Sequence, residues 1–164
     1  MRAAEGRNFF ILVTADNFHP GGRRIEAADI AEHRLRLAKW PIYKNTRNRK
    51  IMRAGDIVLV YVGGTRRMGG EVIARAIIKE IILPKSGEVQ IDLDDAMTPS
   101  AEMLLILTVA ERFRGVHLRT LIWELSISPK QRIGWGTALM GGARRVSERD
   151  VQILLEHVAA PNSS

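Results

Sequence analysis

The chain contains no cysteine. Disulfides, zinc–thiolate sites and thiol nucleophiles are excluded together, and the composition suits a reducing cytoplasm. Long apolar runs are missing too. Phe9 to Val13 is too short for the hydrophobic region of a secretory signal, and nothing approaches the ~20 residues of a membrane span. The expectation is a soluble, cytoplasmic protein with no membrane partner. The histidines His19, His33, His117 and His157 stand apart in sequence, none in an HExxH or comparable ligand spacing. Asp92, Asp94 and Asp95 cluster without a partner motif and read more simply as a solvated strand end than as a metal site. There is no Gly-x-Ser-x-Gly elbow. The glycine pairs around Thr65 to Met68 match neither Walker A nor GxGxxG, so they read as a flexible hairpin. No catalytic residue, metal or cofactor is expected.

What is present is positive charge on an ordinary globular composition. The net charge is +7, which favours an anionic partner: RNA or DNA ahead of an acidic membrane surface. The apolar share of 46% is too high for a disordered chain and allows one real core. The length of 164 residues suits a single domain over 1–164 with a core at about 8–158.

The pattern of apolar residues predicts mixed α and β structure. Asn8 to Thr14 and Ile57 to Val62 are aromatic or β-branched and read as strands, the second after an Ala54-Gly55-Asp56 turn. Glu71 to Leu83 reads as a long bent strand, Val89 to Leu93 as a half-buried one, and Met103 to Val109 as another. Glu26 to Ala38 has Ala28, Ala31, Leu35 and Ala38 on one helical face, with Pro41 stopping any continuation. Leu118, Leu121, Ile122 and Leu125 predict a helix over 117–125, with Trp123 as a core residue. Ile127 to Gly142 reads as a loop. Ser147 and Asp150 start a final helix with a capping-box-like pair. Five or six strands with short peripheral helices predict an α+β fold on a curled mixed sheet, closed towards a barrel.

The most informative segment runs from Lys39 to Ile51. Trp40, Tyr43, Asn45 and Asn48 sit there among five cations, with no carboxylate. Lys44, Arg47, Arg49, Lys50 and Arg53 suit phosphate contacts, each releasing a counterion; a solvated polar loop is the plainer alternative. Trp40 either plugs the end of the core or stacks on a base, worth roughly 1–3 kcal/mol. Asn45 and Asn48 either bond the local backbone or read a base edge, since an amide both donates and accepts. Trp135, between glycines, either covers the barrel mouth or forms the second wall of a pocket. Tyr61 ends a strand with its hydroxyl near a pocket rim.

Taken in order, these motifs resemble those of EVE-domain proteins over about residues 8–158. The carrying residues are Phe9 to Thr14, Trp40-Pro41-Ile42-Tyr43-Lys44 through Asn48, Ile51 to Val62 with its Gly-Asp turn, Trp135, and Gly141 to Asp150 leading into the last helix. The resemblance implies a PUA-like fold, related to YTH and ASCH domains, with a pocket for RNA or a modified base. In YTH relatives an aromatic cage holds a methylated adenine, and some EVE domains are linked to modified cytosine in DNA. Trp40 matches the pocket tryptophan, and Thr14 lies where the first strand reaches that pocket.

The sequence therefore predicts a non-enzymatic nucleic-acid-binding module that holds one base, modified or not, of RNA or DNA. Trp40 would stack in an open, positively charged hollow. Thr14, Asn45 and Asn48 would read polar edges, with Tyr43, Tyr61 and Trp135 as further pocket residues. Lys44, Arg47, Arg49, Lys50 and Arg53 would hold phosphates. One rival is an enzyme on the same fold, using an acid or base such as His19 or Asp16 near Trp40. Another is a protein-interaction module with a basic face.

Overall fold

The computed structural model describes residues 6–83, 101–128, 139 and 141–158. The strands are β1 (Phe9–Thr14), β2 (Asn17–Phe18), β3 (Arg24–Ile25), β4 (Lys39–Ile42), β5 (Ile57–Val62), β6 (Glu71–Ile82), β7 (Met103–His117) and β8 (Ala143–Val146). The helices are α1 (Ala27–Leu37), α2 (Leu118–Leu121) and α3 (Glu148–Glu156), with 3-10 turns at Arg49–Ile51 and Ile122–Glu124. Six strands form one sheet in the order β4-β7-β6-β5-β1-β8, and β2 pairs with β3 in a small ribbon.

β1 and β5 lie side by side in parallel, from Phe9 opposite Ile57 to Thr14 opposite Val62. A parallel pair needs a long crossover, and residues 15–56 supply it with α1 and β4. The unbroken apolar runs of β1 and β5 follow from burial on both faces. Phe10 and Leu12, with Val58, Val60 and Val62, face one side and meet Ala27, Ala28, Ala31 and Leu35 of α1. Ile11, Leu59 and Tyr61 face the other and meet Leu118, Leu121, Ile122 and Leu154. Period-two alternation thus feeds two cores from one sheet.

The curl of the sheet has a local cause. β6 slips register against β7 between Val72 and Ala74, Arg75 and Ala76, and Ile78 and Glu80, and against β5 at Val60/Tyr61. Each irregularity bends the strand and adds twist. At one end the two sheet edges are tied together: the Arg47 N–H donates to Gly141 O at 2.9 Å, and Asn48 Nδ2 donates to Ala143 O at 3.1 Å. The basic segment that follows β4 is therefore clamped onto β8.

Several sequence expectations change. α1 ends because Ala38 turns into the left-handed region at φ 54° and its N–H reaches Arg34 O and Leu35 O. Pro41 does not stop the helix; it sits in edge strand β4 opposite Leu104, an edge position that tolerates a missing N–H. β4 and β8 were not predicted as strands, because both are short and carry basic or Pro residues. β7 runs eight residues beyond Val109, to His117. Its extension alternates exposed and half-buried side chains as far as Phe113 and buries only Val116 fully beyond it, so it carries little apolar signal. Leu118, Leu121, Ile122 and Leu125 are buried as the spacing predicts, but Trp123 is 45% exposed. The four aliphatics occupy the inner stripe, which leaves position 123 pointing outward. The strand expected over Val89 to Leu93, the acidic cluster Asp92, Asp94 and Asp95, and Trp135 lie outside the described residues.

Two carboxylates fix the chain ends of the sheet. Asp56 is buried and accepts from the backbone N–H of Asn8 at 2.9 Å and of Arg53 at 2.8 Å. Gly55 before it adopts φ 96°, which favours glycine. Asp150 closes a capping box with Ser147 at the start of α3 and also accepts the Ser126 N–H at 2.8 Å. Burial alone would raise the Asp150 pKa, but the hydrogen bonds from Ser126 and Ser147 outweigh it and hold the group below the usual aspartate range.

Candidate functional site

A cavity of about 220 Å³ opens where β1 ends. Thr14 and the Ala15-Asp16-Asn17 stretch form one side, Ile30 and Arg34 of α1 a second, and Trp40 to Ile42 of β4 with Tyr43 after it a third, with Thr46 and Gly142 at its border. The volume is below the ~300–1,000 Å³ typical of drug-sized ligand sites, which suits one planar ring system.

Trp40 does not face open solvent. It is 2% exposed and belongs to the core with Phe10, Leu12 and Ile42. It still borders the cavity, and the Arg34 guanidinium lies over the indole with its carbon 4.8 Å from the ring centroid. Cation–π contact of this kind is worth ~2 kcal/mol when desolvated. Arg34 is itself only 7% exposed. No sequence motif marks it. It sits on the shoulder of α1 beside the apolar stripe, where a cation reads as a solvated position.

The polar groups of the cavity are partly committed. Thr14 Oγ1 donates to Ala27 O at 3.1 Å, so towards the cavity its hydroxyl can only accept. Asp16 accepts the Ala27 N–H at 2.9 Å and Arg24 at 2.9 Å. His19 is not among the lining residues. The carboxylate that an acid–base enzyme would need is thus engaged by its own loop. Arg34 supplies N–H donors and no acceptor.

Of the residues singled out in the sequence, Trp40, Tyr43 and Thr14 come together here. Tyr43 and Thr46 close a turn through Tyr43 N–H to Thr46 Oγ1 at 3.0 Å and Thr46 N–H to Tyr43 O at 3.0 Å. Lys44 and Asn45 stand exposed at its tip. Asn48 lies outside the cavity and adopts φ 63°; its amide ties β8 in place. Arg47 is exposed and packs over Gly141, where an added Cβ would meet Arg47 Cδ at 2.6 Å. Arg49 pairs with Glu102 at 2.8 Å. Lys50 and Arg53 are exposed.

Tyr61 borders a second, larger hollow of about 480 Å³ that shares Val13, Thr14, Ala15 and Gly142 with the first. Burial pushes the Tyr61 hydroxyl pKa upward. Among the described residues, no group of three or more His, Asp or Glu is placed to hold a metal ion.

No family model matches the chain, and no curated protein sequence does. Solved structures do match. Human THYN1, solved in complex with 5-methylcytosine containing DNA, aligns with a TM-score of 0.57 at 10% identity over 94% of this chain and 99% of its own. A Pseudomonas putida protein aligns at 0.52 and 13% identity, over 90% of this chain and 97% of its own. A Leishmania major protein aligns at 0.51 and 17% identity, over 93% and 95%. The fold is PUA-like. In this PUA-like sheet the cavity sits at the carboxyl end of β1, between the crossover helix α1 and edge strand β4, so regular elements hold two of its walls and the chain leaving β1 forms the other.

Proposed function

We propose that the chain is an EVE-type, non-enzymatic module that binds nucleic acid and holds one base, modified or unmodified, of RNA or DNA in the cavity beside Trp40. The observation that carries this is the cavity itself: a single-ring-sized space bordered by an indole, a buried guanidinium and a committed threonine hydroxyl. A protein of the same fold, THYN1, was solved with 5-methylcytosine containing DNA, which supports a base-bearing ligand. Trp40 and Ile42 form the apolar wall. Arg34 donates to acceptors on the base edge, and Thr14 Oγ1 accepts from an exocyclic amine. Asn45 and Asn48 lie outside this space, so edge reading falls to Arg34 and Thr14. Lys44 at the turn tip, Arg47 over Gly141, and Lys50 and Arg53 contact phosphates, with Arg49 doing so if it exchanges its pairing with Glu102.

The test is a binding screen of RNA and DNA oligonucleotides, with and without 5-methylcytosine. Trp40→Ala alone would confuse binding with folding, because the ring is part of the core. Ala15→Tyr is the cleaner variant: Ala15 is exposed and borders the cavity, so a phenol there obstructs the mouth. Expected is a loss of ~10-fold or more in affinity for the preferred base, about 1.4 kcal/mol or more. Equal affinity of wild type and Ala15→Tyr for every oligonucleotide would remove the base site.

A further inference from the structure

A groove of about 490 Å³ runs beside β8, lined by Asn48, Ser126, Arg144, Arg145, Val146 and Ser147. It is separate from the Trp40 cavity but adjoins it in sequence: Gly142 borders the cavity, and β8 begins at the next residue. Among the described residues β8 is an outer strand of the sheet and pairs with β1 alone. Two consecutive arginines on a sheet edge are unusual as packing residues. Arg144 lies opposite Ile11 and Arg145 opposite Phe10.

Their bonding is incomplete. Arg144 Nε is buried and has no hydrogen-bond partner among the described residues. A buried N–H of a charged group left unpaired is costly, and such a group in a native fold calls for a ligand, ion or water. Arg145 donates from one terminal nitrogen to Asn8 Oδ1 at 2.9 Å and has other N–H groups to offer. Asp150, which bonds the lining residues Ser126 and Ser147, is 2% exposed and already accepts from both. It competes weakly for the arginines.

We infer that this groove binds a phosphodiester group of the nucleic acid whose base enters the Trp40 cavity, through Arg144 and Arg145. The site rests on the base-binding reading for its physiological ligand, but its chemistry is that of an oxyanion at a strand edge, met by Arg144 from the Ile11 face of the sheet and by Arg145 from the Phe10 face. From Gly142 to Val146 the extended chain spans about 13 Å, so one strand can reach both places. The backbone then runs along β8, held at one end by its base and at the other by these arginines. Lys44 and Arg47 would serve the cavity end of the same path.

The experiment compares wild type, Arg144→Gln/Arg145→Gln and Ala15→Tyr by fluorescence anisotropy across a salt series. The probes are a base-bearing oligonucleotide and an abasic sugar-phosphate oligomer of equal length. The arginine double variant should weaken both probes by about tenfold and flatten the log-affinity against log-salt slope by about 0.7–0.9 per lost contact. Ala15→Tyr should weaken only the base-bearing probe. If the double variant keeps wild-type affinity and slope while Ala15→Tyr loses affinity, the groove is overturned and the base cavity stands. If the double variant loses both probes but Ala15→Tyr changes nothing, the groove stands and the base cavity is overturned. Should thermal unfolding show that the double variant is misfolded, Arg145→Gln and Arg144→Lys replace it. Arg145→Gln should lower the slope. Arg144→Lys should keep the slope and weaken binding, because charge remains and the fork is lost; wild-type behaviour in both overturns the groove.

Discussion

Two hollows share the end of β1, and they are built differently. The smaller, about 220 Å³, is walled by α1 and β4 and bordered by Arg34, Asp16 and Trp40. The larger, about 480 Å³, is walled by Gly63, Gly64, Thr65, Gly141 and Gly142 with Tyr61 and Leu139. Regular elements fix side chains within fractions of an ångström, whereas glycine-rich loops leave conformational freedom to be lost on binding. The first hollow is therefore suited to discriminate one planar ligand. The second is suited to accommodate chain passing by. Thr14 and Gly142 belong to both, so the same strand end positions a selective and a permissive surface.

The largest expected effect that tests this contrast is on stability. Trp40→Ala removes an indole from the core and should cost ~3–5 kcal/mol in chemical denaturation. A loss below ~1 kcal/mol would mean the ring is not packed as described and the selective wall is soft. Next comes acid sensitivity, which probes the scaffold behind both hollows. Hydrogen bonds from Arg114 outweigh burial and depress the Glu71 pKa, and those from the two serines depress Asp150. For groups lowered in the folded state, the stabilisation is complete above their unfolded values, about 4, and is lost as pH falls through the lower folded values. Unfolding free energy should fall below about pH 4, and Glu71→Gln with Asp150→Asn should flatten that fall. An unchanged acid limb in the double variant would contradict the assignment.

A smaller effect is read at the rim the two hollows share, where Ala15 borders both. Ala15→Tyr should alter base discrimination while shifting stability by less than ~0.5 kcal/mol. Smallest of all is Tyr61→Phe, which removes one buried hydroxyl at the permissive hollow. It should change oligonucleotide affinity by less than about twofold, well under the stacking contribution of one base. A tenfold loss would reverse the comparison and make the larger hollow the base site.

Much of the fold was legible before any coordinates. β5 spans Ile57–Val62 as its β-branched run predicts, and α3 starts at the Ser147–Asp150 capping box. β1, β6 and α1 differ from expectation by a residue or two at their ends, the usual uncertainty of frayed termini. β4, β8 and the second half of β7 were hidden because their identity as strands comes from partners far away in sequence. Lys39–Ile42 carries a Pro and Ala143–Val146 two arginines, and the ladder with β7 or β1 makes them extended. Trp123 misled for a related reason: the aliphatic stripe predicts where a helix is buried, and its neighbour then points the other way.

The site divides along the same line. Local chemistry by itself determined that the 39–53 segment carries cations, an indole and amides, because residue types and short spacings are properties of the chain. It also determined the Gly55–Asp56 turn and the capped last helix, which depend on contacts a few residues apart. Only the tertiary structure decided that Trp40 is enclosed, that Arg34 from the preceding helix covers it, and that Asn48 clamps β8. It alone set Arg144 and Arg145 beside a groove with one nitrogen unpaired. Those facts depend on the parallel pairing of β1 with β5 and on the curl that brings the outer strands together. Both join residues tens of positions apart, and no local pattern encodes which distant partner a side chain will meet.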